Sequence, residues 1–93
     1  MPESEVSKVF IIKNKLGLHA RAAAVFVRLS SRFACDVKLI KNGYEVDGKS
    51  ILGVLSLAAA KGSDIKVITK GENAGGAMAE IEELIESGFG EGV

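Results

Sequence analysis

The chain of 93 residues carries one histidine and one cysteine. With so few reactive side chains, placement decides which chemistry is open. His19 lies in Gly17-Leu18-His19-Ala20-Arg21-Ala22, between a glycine-containing loop and a segment of helical periodicity. A helix start leaves backbone N–H groups without intrahelical partners and carries the positive end of the helix dipole. A neutral imidazole nitrogen placed there is a nucleophile that can accept a phosphoryl group. The phosphate would then face the first-turn amides of Ala20, Arg21 and Ala22. The Arg21 guanidinium, two residues on, would add a charge-assisted contact. Ser50 is a second position of interest, because it precedes the apolar run from Ile51 as an N-cap would.

Each of these residues also has a plain structural reading. A histidine at a helix start can be a cap or a surface residue, and Arg21 can belong to a solvated helix face. Ser50 can be only an N-cap, and Cys35 a small buried hydrophobe. Ile51, Leu52 and Leu55 read as core, although so short a segment cannot bury every side.

Other chemistries find little support. One Cys and one His cannot build a structural zinc site or an internal disulfide, and neither a metal nor a cofactor is expected. A Ser-His-Asp arrangement, GxxxxGK[ST] and a GxGxxG after a strand are all lacking. Glu82 and Glu83 are adjacent on a helix and so do not face each other. Twelve basic and twelve acidic residues cancel, which argues against a domain-wide nucleic-acid footprint. The longest apolar stretch, residues 51–60, is broken by Gly53 and Ser56 and is about half of a membrane span. The polar N-terminal segment lacks an apolar signal core. A cytoplasmic domain with a reduced thiol and no membrane insertion is therefore expected.

The elements that must position these residues can be read from periodicity. Val6 to Ile12 is β-branched and apolar, hence a strand. Ala22, Phe26, Leu29 and Phe33 define one face of a helix over 20–33, with Arg21, Arg28 and Arg32 on another. Asp36 to Lys41 alternates, Asn42-Gly43 supplies a tight turn, and Tyr44 to Asp47 returns as the second strand of a hairpin. A second apolar segment runs from Ser50 until Lys61-Gly62-Ser63 closes it. Asp64 to Lys70 alternates again. Gly71 to Gly76 reads as a loop. Ala77 or Met78, Ile81, Leu84 and Ile85 form the last helical stripe, ended by Gly88. The order β-α-β-β-α-β-α predicts an α+β fold: a four-stranded, mostly antiparallel sheet with helices on one face. Length predicts a single domain over 1–93.

Two segments carry a family resemblance. Gly17-Leu18-His19-Ala20-Arg21 before a helix resembles the active-site segment of the HPr family, the histidine-containing phosphocarriers of the bacterial phosphoenolpyruvate:sugar phosphotransferase system. Asn42-Gly43, Val46 and Lys49-Ser50-Ile51-Leu52-Gly53-Val54-Leu55-Ser56-Leu57 resemble the regulatory-serine segment of members from lineages with HPr kinase/phosphorylase. The two segments stand at the family's separation, and the resemblance runs from about Val6 to Ser87.

The resemblance implies an open-faced β-sandwich with sheet order 1-4-2-3. It implies that His19 receives a phosphoryl group from enzyme I, normally on Nδ1, and passes it to enzyme IIA domains in sugar uptake. Such a carrier is the phosphorylated intermediate itself and not an enzyme. Arg21 matches the arginine beside the phosphohistidine, and Ser50 the serine modified by HPr kinase/phosphorylase. The family's partner surface maps to Ala20, Ile51, Leu52 and Leu55, rimmed by Arg28 and Lys49. A monomer is expected. One departure stands out: the family's proline after the arginine is Ala22 here. Alanine restores an N–H and favours a helix. Two other readings remain: a nitrogen-type regulatory carrier without transport output, and an α+β binding module without phosphoryl chemistry.

Overall fold

A computed structural model describes residues 4–91. Seven elements follow in the expected order: β1 (Glu5–Ile11), α1 (Ala20–Ser30), β2 (Asp36–Lys41), β3 (Tyr44–Asp47), α2 (Ile51–Ser56), β4 (Asp64–Lys70) and α3 (Ala74–Glu86). The strands form one antiparallel sheet in the order β1-β4-β2-β3. That is the order implied by the family resemblance, which periodicity alone could not choose.

Alternation along each strand decides which face is covered. In β4, Ile65, Val67 and Thr69 are buried while Asp64, Lys66 and Lys70 are exposed. The register sets Phe10 opposite Ile65, and Leu39 opposite both Val67 and Val46, so one apolar row crosses the sheet. Ala22, Ala23 and Phe26 of α1, Val54 of α2 and Ala77, Met78, Ile81 and Ile85 of α3 close over that row. Burying each large side chain among them contributes roughly 1.5–3 kcal/mol. The opposite face stays open, with Val9 and Ile11 more than half exposed. Cys35 is a buried, free thiol, as a small hydrophobe would be.

Three helix boundaries depart from the periodicity reading. The first helix ends at Ser30 rather than Phe33, because the chain tightens into i→i+3 bonds there: Arg32 N–H to Leu29 O and Phe33 N–H to Ser30 O. The buried Ser30 hydroxyl meanwhile donates to Gly48 O at 2.7 Å. The second helix is only six residues long. Ala58 takes φ +49°, which stops it well short of Lys61. The third helix begins at Ala74, inside the stretch read as loop. Burial of Ala74 and Ala77 outweighs the poor helix propensity of Gly75 and Gly76. Thr69 Oγ1 donates to Ala74 O at 2.8 Å and ties this start to β4. The hairpin turn is as read: Asn42 and Gly43 both have positive φ, which a two-residue turn of this type requires.

Candidate functional site

The start of α1 is fixed from the loop before it. Gly17 has φ +65°, and a Cβ there would lie 2.3 Å from Ala59 O. Only glycine lets the two loops approach so closely. Leu18 N–H donates to Ala59 O at 2.8 Å, and the Leu18 side chain is buried. His19 follows as the N-cap residue in an extended conformation, and its carbonyl accepts from Ala23 N–H at 2.9 Å. Its ring makes no capping bond. Ala20, Arg21 and Ala22 form the first turn, whose N–H groups have no carbonyl partner within the helix. That turn holds no acidic residue. Ala20 and Arg21 are exposed, and Ala22 is fully buried against the core. Ala22, the third residue of α1, thus fits the first turn with its methyl group in the core.

The imidazole is held from the far end of the chain. His19 Nε2 lies 2.6 Å from Glu91 Oε2, with both side chains about a quarter exposed. Asn14, fully buried, donates from Nδ2 to Gly17 O at 2.8 Å and to Glu91 Oε1 at 3.1 Å. Both partners are acceptors, so the amide must present its NH₂ to them. Its Oδ1 finds no partner among the described residues. The Asn14 hydrogen bond is the main influence holding the Glu91 carboxyl below the usual carboxylate range. Partial desolvation acts the other way, while His19 and Arg21 lower it further.

The Glu91 position is built by the turn after α3. Gly88, Phe89 and Gly90 all take positive φ, Phe89 N–H bonds to Leu84 O, and the Phe89 ring is buried in the core. Glu91 N–H then bonds to Gly88 O. Sequence reasoning missed Asn14 and Glu91 as site residues. A lone large apolar residue between two glycines after a helix end was the available sign of an anchored tail.

At the start of α2, Ser50 is the N-cap and its Oγ accepts from Gly53 N–H at 3.0 Å. Leu52 is 79% and Ile51 44% exposed, so the reading of these two as core fails; Val54 alone of the helix is buried. Leu55 is half-buried against the core. Lys49 lies just before Ser50, and its Nζ donates to Phe33 O at 2.6 Å. Arg28 is exposed and lines a groove of about 370 Å³ between α1 and α3, shared with Arg32, Glu80 and Glu83. None of His19, Arg21 or Ser50 lines that groove. Among the described residues no cluster of metal-ligating side chains occurs, and no helix is long and apolar enough to cross a membrane.

A histidine at an open helix start, on a small sheet covered by helices on one face only, defines a surface-displayed site rather than a pocket. The family described as "PTS HPr component phosphorylation site" matches residues 6–87. The chain belongs to the HPr family of phosphocarriers. It is 46% identical over 93 residues to the phosphocarrier protein HPr of Pseudomonas aeruginosa, covering 99% of each chain. It is 48% identical over 81 residues to that of Neisseria meningitidis serogroup B, covering 87% of this chain and 91% of the relative. Among solved structures, HPr-C-His of Thermoanaerobacter tengcongensis superposes with a TM-score of 0.88 at 40% identity, over 97% of this chain and 99% of that one. The HPr of Bacillus anthracis gives 0.84 at 38% identity, over 88% and 98%.

Proposed function

We propose that this protein carries a phosphoryl group on His19 between the phosphohistidine of enzyme I and an enzyme IIA domain, with sugar uptake as the output. The observation that carries this reading is an imidazole at the start of α1 whose ring leaves the first-turn amides uncapped. Those amides and Arg21 form an anion seat beside the nucleophile. Transfer needs an exposed nucleophile and quick release, and an open site serves both. The protein is consumed and regenerated as the intermediate, so it acts as a carrier and not as an enzyme. It works in the cytoplasm, as a monomer, without a cofactor. Ala20, Ile51, Leu52 and Leu55, with Arg28 and Lys49, form the surface on which enzyme I and enzyme IIA dock. Lys49 acts there through the Phe33 carbonyl it holds.

Ser50 is the regulatory site for HPr kinase/phosphorylase. A phosphoryl group on its Oγ brings about −1.5 to −2 charge to the start of α2. The helix tolerates that charge, whereas an acidic partner docking beside Ile51 and Leu52 is repelled. Ser50→Asp should slow phosphoryl acceptance from enzyme I about tenfold, measured as initial rate; an unchanged rate removes Ser50 from the scheme.

The reading is tested by intact mass after incubation with phosphoenolpyruvate and enzyme I. Wild type should gain one acid-labile phosphoryl group, and His19→Ala none. A folded wild type that gains nothing in the presence of active enzyme I contradicts it.

A further inference from the structure

We infer that Glu91 is a positioning residue for His19: it holds the proton on Nε2, so that Nδ1 carries the free lone pair, and it balances the charge of the phosphorylated ring. This rests on the phosphocarrier reading of His19. Glu91 itself lies beyond residues 6–87 that match the family.

The geometry carries the first half. An ionised carboxylate only accepts hydrogen bonds. The nitrogen 2.6 Å from Glu91 Oε2 is Nε2, so in that contact Nε2 bears the hydrogen. In the neutral ring the lone pair then resides on Nδ1, and no hydrogen bond among the described residues engages that atom. The carboxylate is itself held. Its second oxygen accepts from buried Asn14, and the chain behind it is anchored by the Phe89 ring in the core. A side chain fixed at both ends orients the imidazole plane and fixes its tautomer, as a carboxylate does for histidine in acyl-transfer sites.

The second half follows from balancing the transfer. The Nδ1 lone pair forms the new N–P bond as the donor's N–P bond breaks, and that electron pair returns to the donor's ring nitrogen. No proton needs to leave His19. The ring, still bearing hydrogen on Nε2, becomes cationic when the phosphoryl group arrives. Glu91 lies against that cation. In onward transfer the ring then departs as neutral imidazole, whereas loss of the Nε2 proton would force it out as an anion. One charge opposes this arrangement: the carboxylate also repels the incoming phosphoryl group. The ring's two nitrogens point away from each other, and Arg21, near enough to lower the Glu91 carboxyl, adds positive charge beside the uncapped first turn.

The test uses the full chain with Glu91→Ala, Glu91→Gln and Glu91→Asp. Glu91 lies outside the hydrophobic core, so these variants leave the core intact. The first readout is the pair of ring ¹⁵N shifts of His19, taken by long-range ¹H–¹⁵N NMR where the ring is neutral. It needs no phosphoryl chemistry. Wild type should show the Nε2–H pattern, Glu91→Ala a shift toward mixed tautomers, and Glu91→Asp or Glu91→Gln a partial return. The second readout is the rate of phosphoryl acceptance from enzyme I, which should fall about five- to tenfold in Glu91→Ala. An unchanged tautomer in Glu91→Ala overturns the inference, even if His19 is phosphorylated normally. A faster rate overturns it too, because Glu91 would then be a latch over the site. If wild type accepts no phosphoryl group, the carrier reading fails, and the NMR readout alone still decides whether Glu91 sets the tautomer.

Discussion

The two helix starts on this surface solve the same problem in opposite ways. At α2 the Ser50 hydroxyl caps its own helix by accepting from Gly53 N–H. At α1 the cap residue turns its ring away from the helix, and the ring is taken up by Glu91 instead. The difference follows from what else holds each helix. The eleven-residue α1 buries Ala22, Ala23, Phe26 and Ser30, so it stands without a side-chain cap. The six-residue α2 buries only Val54 and depends on its cap. A site that must display free amides belongs on the helix that packing already holds. A phosphate added to Ser50 would keep an acceptor within reach of Gly53, so modification there changes the surface and not the fold.

This contrast can be broken most strongly at His19. His19→Ala should abolish acid-labile phosphorylation while moving the melting temperature by no more than about 2 °C, since the ring makes no capping bond. Scanning calorimetry beside intact mass checks both halves. Next in size is Gly17→Ala. Its Cβ would strike Ala59 O from a left-handed backbone. It should destabilise by about 3 kcal/mol, seen as a lowered urea midpoint. Ser50→Ala should cost about 1 kcal/mol, a loss of about 4–8 °C in melting temperature, where His19→Ala loses almost nothing. Equal losses at the two positions would erase the distinction.

The smallest effect concerns Glu91. Its carboxyl titrates below the usual range in the folded protein, chiefly through Asn14. The unfolded chain therefore binds that proton more readily. The contribution to stability is complete above the ordinary carboxylate range and is lost as pH falls through the lower, folded value. Asn14→Ala should move the Glu91 midpoint back up toward the ordinary range, followed by ¹³C NMR of the carboxyl carbon. A midpoint that stays put would assign the effect to His19 and Arg21 instead.

Much of this was legible before any coordinates. The alternation of Asp36–Lys41 and Asp64–Lys70, the Asn42-Gly43 turn and the Ser50 cap are local patterns, and the structure keeps them. The helix ends were less so, because Ala58's positive φ and the burial of Ala74 are set by tertiary packing. Exposure of Ile51 and Leu52 ran against composition. A helix of six residues cannot bury every side, and these two residues face outward while Val54 faces the core. The Asn14–Glu91–His19 chain was invisible to any local pattern, since it joins residues more than seventy positions apart. Only the close approach of the turn after α3 to the start of α1 creates it.

The central claim is that the start of α1 presents one nitrogen of one histidine to the phosphoryl group. It is tested most directly by ¹⁵N and ³¹P NMR of the protein after phosphorylation by enzyme I. The account predicts a phosphorus–nitrogen coupling at His19 Nδ1, with the proton retained on Nε2 beside Glu91. A phosphoryl group on Nε2, or one found only on Ser50, would contradict it.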